Sequence, residues 1–170
     1  MMENFSYNGN NFFRFYNLLK ESTREKLKGD IDYQVEHHLC SFVQPYQTYN
    51  NLHEVYKDNS TWQLFIAKIS NCVSQITNKI LIKHKCWANV SKENNSYHMH
   101  EHNTDFTAVY FLQNSYPEYG TNIENNIIVK AFENSLIVFD GKLKHGIVNM
   151  PESLAKNNYR YSIVIDYNYA

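Results

Sequence analysis

Tyr97-His98-Met99-His100-Glu101-His102-Asn103-Thr104-Asp105-Phe106 is the stretch on which the reading of this chain turns. It holds three of the eight histidines, one at every second residue. In an extended strand, side chains at alternate positions share a face, so the rings of His98, His100 and His102 are expected side by side. They cannot all bind one ion. Alternate residues lie about 7 Å apart along a strand and three of them span roughly 13 Å, whereas imidazole ligands sit about 2 Å from a metal. A neighbouring pair can lean toward one ion, and His100 belongs to either pair. A third ligand must then come from elsewhere in the sequence.

Downstream, His145 is the candidate. It follows Ser135-Leu136-Ile137-Val138-Phe139-Asp140-Gly141-Lys142-Leu143-Lys144, an apolar run and a glycine turn that lead into the next strand. Such a turn aims the ring into the mouth of a barrel. A His-x-His or His-x-acid pair completed by a distant histidine suits non-haem Fe(II). Two or three protein ligands then leave positions open for oxidant and cosubstrate. Further on, Tyr159-Arg160-Tyr161-Ser162-Ile163-Val164-Ile165-Asp166 reads as a strand with Arg160, Ser162, Val164 and Asp166 on one face and Tyr161, Ile163 and Ile165 on the other. A guanidinium there is costly unless paired. Its planar fork fits a carboxylate through two parallel hydrogen bonds, and Ser162 adds a hydroxyl on the same face. We read Arg160 as the holder of an acidic cosubstrate; an internal salt bridge or an exposed edge strand is the alternative.

The rest of the chain builds a frame. After Lys83 the apolar period drops from near four to near two, and strands are expected at about 84–91, 96–102, 105–113, 123–131, 135–139, 143–149 and 159–167. Asn94-Asn95, Gly120, Asn125-Asn126, Asn134 and Gly141 separate them. Upstream, Trp62, Phe65, Ile66, Ile69, Cys72, Val73, Ile76 and Ile80 follow helical spacing, with Ser60-Thr61 as a cap. Phe12, Phe13, Phe15, Tyr16, Leu18, Leu19 and Leu27 fit a helix over 11–28, broken near Glu21-Ser22-Thr23 and ended by Gly29-Asp30. Residues 31–50 read as extended pieces, including Ile31-Asp32-Tyr33-Gln34-Val35 and Phe42-Val43-Gln44-Pro45-Tyr46. The doublet His37-His38 points to opposite faces of a strand and is a poor metal pair. The expected architecture is α+β: a β-sandwich or jelly roll with N-terminal helices packed on one sheet. It forms a single domain over 1–170, helical or irregular in 1–83 and strand-rich in 84–170.

Composition narrows the classes. The 170 residues are 43 % hydrophobic and 19 % charged with a net charge of -1, so electrostatics supports neither nucleic-acid nor membrane binding. Cys40, Cys72 and Cys86 are far apart and odd in number, which fits reduced thiols rather than a disulfide framework; Cys72 lies on the apolar stripe of its helix and reads as core. Met1 to Asn11 shows no signal-peptide pattern, and no apolar run approaches a membrane span. The expectation is a soluble, cytoplasmic protein, of a cell or of an infected host.

At this point the sequence resembles a known family. Trp87-Ala88-Asn89-Val90, His100-Glu101-His102 and Thr107-Ala108-Val109-Tyr110-Phe111-Leu112 look like the first half of the 2-oxoglutarate/Fe(II) oxygenases of the phage and marine-bacterial, prolyl-hydroxylase-like type. Leu136-Ile137-Val138-Phe139, His145-Gly146-Ile147-Val148-Asn149 and Arg160-Tyr161-Ser162 look like the second half. The likeness covers residues 85–167. It implies a double-stranded β-helix, also called cupin-like, that binds Fe(II) through His100, His102 and His145. It also implies 2-oxoglutarate held by Arg160 and Ser162, with Asn89 and Tyr110 beside it. The implied activity is a dioxygenase: dioxygen and 2-oxoglutarate are consumed, succinate and carbon dioxide leave, and a C–H bond of a peptidyl or small-molecule substrate is hydroxylated. Spacing from Trp87 and to Thr107 favours His100 and His102 as the pair, with His98 at the rim. Most of the superfamily has His-x-Asp or His-x-Glu, so whether His102 or Asp105 fills the carboxylate place stays open. Where many relatives have a cosubstrate-binding Tyr this chain has Phe111, with Tyr110 on the opposite face. A cupin-like three-His metal dioxygenase, or a metal-binding protein without turnover, is the alternative reading.

Overall fold

The computed structural model describes residues 1–41, 45–77, 79–91, 98–155 and 158–170. Among them the elements run β1 (Met2–Tyr7), β2 (Asn10–Tyr16), α1 (Glu21–Glu36), β3 (Tyr46–Gln47), α2 (Leu52–Val55), α3 (Ser60–Thr77), β4 (Leu81–Ser91), β5 (Phe106–Gln113), β6 (Thr121–Ile123), β7 (Ile127–Val129), β8 (Ser135–Asp140), β9 (His145–Ile147), α4 (Glu152–Ala155) and β10 (Arg160–Tyr169). The expected extended piece at Phe42-Val43-Gln44, the turn at Asn94-Asn95 and the start of the 96–102 strand lie outside the described residues.

The large sheet has the order β1-β2-β8-β5-β10-β4-β3 and the small one β7-β6-β9. All their pairings are antiparallel. Alternation along the central strands decides the layering. Tyr161, Ile163, Ile165 and Tyr167 of β10, with Ala108, Tyr110 and Leu112 of β5, pack against Leu27 and Ile31 of α1 and Trp62, Phe65 and Ile69 of α3. Val164, Val109 and Phe111 point the other way and meet Ile123 and Val129 of the small sheet. The molecule is therefore a mixed α/β structure in which helices cover one face of the large sheet and a second sheet covers the other. The site lies between the two sheets. Among the described residues no helix is long and apolar enough to cross a membrane.

Several expectations are corrected. Phe12, Phe13, Phe15 and Tyr16 form strand β2, not a helix: Phe12 joins the inter-sheet core while Phe15 joins the helix-side core. The decisive signal is Asn8-Gly9, with φ of 49° and 79°, because positive φ at both central residues is the two-residue hairpin turn that Asn-Gly favours. The large sheet thus recruits strands from the N-terminal part. Helix α1 starts at Glu21, where a break is expected, and runs through Gly29-Asp30 to Glu36, so Ile31–Val35 is helical rather than extended. A glycine inside a helix costs only about 1 kcal/mol. Burial of Leu27 and Ile31 outweighs it, as does the bond from Trp62 Nε1 to Asp30 Oδ2 at 2.8 Å. His37 and His38 terminate this helix. The cap of α3 is Asn59, whose Oδ1 accepts from the amides of Thr61 and Trp62 at 2.9 and 3.4 Å. This helix stops at Thr77, and Ile80 is exposed. The segment expected as one strand over 123–131 is the hairpin β6–β7, turning at Glu124 and Asn125 with φ of 53° and 56°.

Candidate metal centre

The histidine segment is not a regular strand. His98 and Met99 lie outside any strand, and His100 makes an isolated antiparallel bridge with His145. The amide of His100 donates to the carbonyl of His145 at 3.0 Å and the amide of His145 returns to His100 at 2.8 Å. This reciprocal pair sets two rings next to each other. The amide of His102 donates to the carbonyl of Gly141 at 2.8 Å, which ties the third histidine to the β8–β9 turn. A Cβ at Gly141 would stand 2.6 Å from the carbonyl oxygen of Thr104, so the glycine lets the histidine segment lie against that turn.

The ring orientations follow from the Nδ1 partners. Nδ1 of His100 faces the carbonyl of His98 at 2.9 Å, and Nδ1 of His145 faces the carbonyl of Leu143 at 2.8 Å. Nδ1 of His102 faces Asp166 Oδ1 at 2.8 Å, with Thr107 Oγ1 at 3.1 Å. Carbonyls and carboxylates only accept, so each ring carries its proton on Nδ1 and has its lone pair on Nε2. The ring centroids are 4.6 to 5.1 Å apart, and the ligand atoms of the three histidines all lie within 4.8 Å of one another. Nitrogens at right angles on a sphere of about 2.1 Å would be roughly 3 Å apart. Burial pushes His145 down to about 4 and holds His100 below its usual range. Both rings are thus neutral at pH 7, the form that binds a metal. Trp87 packs on His102 at 5.2 Å and Phe139 on His145 at 5.0 Å, which limits how the rings can turn.

The same pocket contains Arg160, Ser162, Asn89 and Phe111. In register, Ser162 of β10 lies between Asn89 of β4 and Phe111 of β5. Arg160 is buried, and burial pulls its guanidinium down to about 10. It donates through Nη1 to the carbonyl of Tyr119, and among the described residues it has no carboxylate partner. A pocket-facing guanidinium without an anion is a receptor for one. The Oδ1 of Asn89 is buried and has no hydrogen-bond partner among the described residues.

Two expected site residues are placed elsewhere. Tyr110 points into the helix-side core, where its hydroxyl donates to Asn134 Oδ1 at 2.8 Å and its ring meets Phe65 at 5.3 Å. Strand alternation puts Phe111, not Tyr110, in the pocket. Asp105 faces the end of β10: its Oδ2 accepts from the amide of Tyr169 at 2.8 Å, and it is not part of the three-histidine group. His98 is exposed and contributes through its carbonyl oxygen. Sequence reasoning missed the role of Asp166, although its place on the Arg160-Ser162-Val164 face is the signal that could have found it.

Comparison with protein-family models finds no match, and comparison with curated proteins finds none. Solved structures do match. HygX from Streptomyces hygroscopicus, with nickel, 2-oxoglutarate and hygromycin B bound, is similar with a TM-score of 0.67 and 11 % identity over 94 % of this chain and 83 % of that one. A prolyl hydroxylase from Trichoplax adhaerens, in complex with a hypoxia inducible factor oxygen degradation domain peptide fragment, gives 0.64 and 15 % over 92 % and 83 %. An oxidoreductase of the 2OG-Fe(II) oxygenase family from Burkholderia pseudomallei gives 0.65 and 13 % over 92 % and 84 %. This chain therefore has the double-stranded β-helix fold of the 2OG-Fe(II) oxygenases.

Proposed function

We propose that the chain is a 2-oxoglutarate- and Fe(II)-dependent dioxygenase that hydroxylates a C–H bond of a peptidyl or small-molecule substrate. One observation carries the reading: three imidazoles, each with Nδ1 facing an acceptor, share a pocket with a buried guanidinium that has no carboxylate partner among the described residues. The donor set fits a divalent metal with open positions. His100, His102 and His145 would hold the iron. Arg160, with Ser162 beside it, would hold the far carboxylate of 2-oxoglutarate, and Asn89 lines that end of the pocket. When bound, iron and 2-oxoglutarate supply the activation of dioxygen, with succinate and carbon dioxide released. The chain's residues do the rest. Phe111, Val109 and Val164 keep bulk water from the inner end of the pocket, and the rigid ring bonds hold the three nitrogens in place.

The fold neighbours support this reading, since HygX is bound to nickel and 2-oxoglutarate and the prolyl hydroxylase to a peptide. The test is anaerobic addition of Fe(II) and 2-oxoglutarate to the purified protein. A visible charge-transfer band is expected, absent in His145→Ala; no band in the native chain would refute the proposal. The His-x-His pair in place of a carboxylate favours a second reading, a three-His metal dioxygenase without 2-oxoglutarate. An Arg160→Ala protein separates the two: metal binding kept with 2-oxoglutarate binding lost supports the first, whereas metal-dependent turnover that needs no 2-oxoglutarate and is insensitive to this change supports the second.

A further inference from the structure

The three histidines are not equivalent. His100 and His145 each turn Nδ1 to a neutral backbone carbonyl two residues earlier in the chain. His102 turns Nδ1 to a carboxylate, Asp166 Oδ1, at 2.8 Å. Asp166 is 5 % exposed, and the position of its carboxylate is over-determined. β10 places it beside Thr107 of β5 in register, and the fully buried Thr107 hydroxyl donates to the same Oδ1 at 2.9 Å. Among the described residues no carboxylate belongs to the three-histidine group itself.

Resting on the metal reading above, the geometry points to Asp166 as a positioning residue that brings a carboxylate's charge to the metal at one remove, through His102. A ligand imidazole whose N–H is held by a carboxylate is fixed in one tautomer and is a stronger donor than one held by a carbonyl. The charge that a directly bound carboxylate would contribute here comes from the adjacent strand, and Thr107 keeps it aimed. No bond is made or broken in this role. Asp166 touches neither metal nor substrate.

The test uses the full chain loaded with Ni(II) or Co(II). Asp166→Asn keeps an oxygen that can accept from His102 and removes the charge. It is expected to weaken Ni(II) binding, measured by calorimetry, roughly 10- to 100-fold, with the thermal midpoint of the metal-free protein unchanged. In the proton NMR spectrum of the Co(II) form, the shifted Nδ1–H resonance of His102 is expected to move while those of His100 and His145 stay. Thr107→Val, which frees the carboxylate to turn, should move the same resonance, and it serves as the test if Asp166→Asn does not fold. Native Ni(II) affinity in Asp166→Asn, or an unmoved His102 resonance, overturns the inference. The control is His145→Ala. If it loses Ni(II) while Asp166→Asn does not, the inference alone falls; if the native chain binds neither metal, the metal reading falls and takes the inference with it.

Discussion

Replacing Arg160 with Met should move folding stability and ligand binding in opposite directions. Burial lowers the guanidinium well below its ordinary range, to about 10. A fall of that size corresponds to roughly 3 kcal/mol of cost for keeping the cation charged in the folded chain, at about 1.4 kcal/mol for each tenfold change. Met keeps the unbranched stem and removes the charge. It also loses the bond to the carbonyl of Tyr119, worth about 1.5 kcal/mol. The metal-free Met variant is therefore expected to be more stable by roughly 1–2 kcal/mol, a rise in melting temperature of about 2–8 °C for a chain of this size. Binding of 2-oxoglutarate to the Ni(II)-loaded protein should go the other way. Two charge-assisted hydrogen bonds at about 1.5–3 kcal/mol each translate into a loss of roughly 10²- to 10⁴-fold. Thermal unfolding and titration calorimetry measure the two effects. A variant less stable than the native chain that still binds 2-oxoglutarate normally would show that Arg160 is a structural cation, and the reasoning would fail.

Ni(II) affinity should fall more than about 100-fold in His145→Ala and stay within about twofold in His98→Ala and Asp105→Asn, because the latter two side chains lie outside the three-histidine group; calorimetry decides. Asn134→Ala should destabilise the fold by about 2–4 kcal/mol in denaturant titrations. That residue, at φ 56°, accepts from the Tyr110 hydroxyl and exchanges two hydrogen bonds with Leu19. Tyr110→Phe should leave 2-oxoglutarate binding unchanged, since the ring is on the helix side of β5. For pH, the folded value of His145 lies below its unfolded value. The unfolded chain therefore takes up the proton first, and acid favours unfolding. Metal-free stability should be full above about pH 6.5 and fall by roughly 3 kcal/mol toward pH 4, with a smaller fall in His145→Gln.

Much of the site was legible because its signals are local or periodic. The alternation in Tyr159–Asp166 assigns Arg160 and Ser162 to one face and Ile163 to the other, and the strand keeps that assignment. The apolar spacing from Trp62 to Val73 specifies a helix wherever it packs. Reading β2 as a helix failed for a physical reason: Phe12, Phe13, Phe15 and Tyr16 satisfy period two and period four together, and only the Asn8-Gly9 turn breaks the tie. Tyr110 and Phe111 are both aromatic, so the sequence could not choose between them without knowing which face of β5 meets the helices.

The sequence by itself determined the donors: which residues are imidazoles, where a guanidinium sits among apolar neighbours, and that alternate histidines cannot all reach one ion. The tertiary structure decided which atoms meet. His100 faces His145 through a backbone pair across 45 residues of chain, and Asp166, rather than Asp105, is the carboxylate beside His102. Side-chain chemistry is a property of each residue. Convergence depends on register, turn geometry and the close approach at Gly141, and these are set only when the two sheets pack on each other.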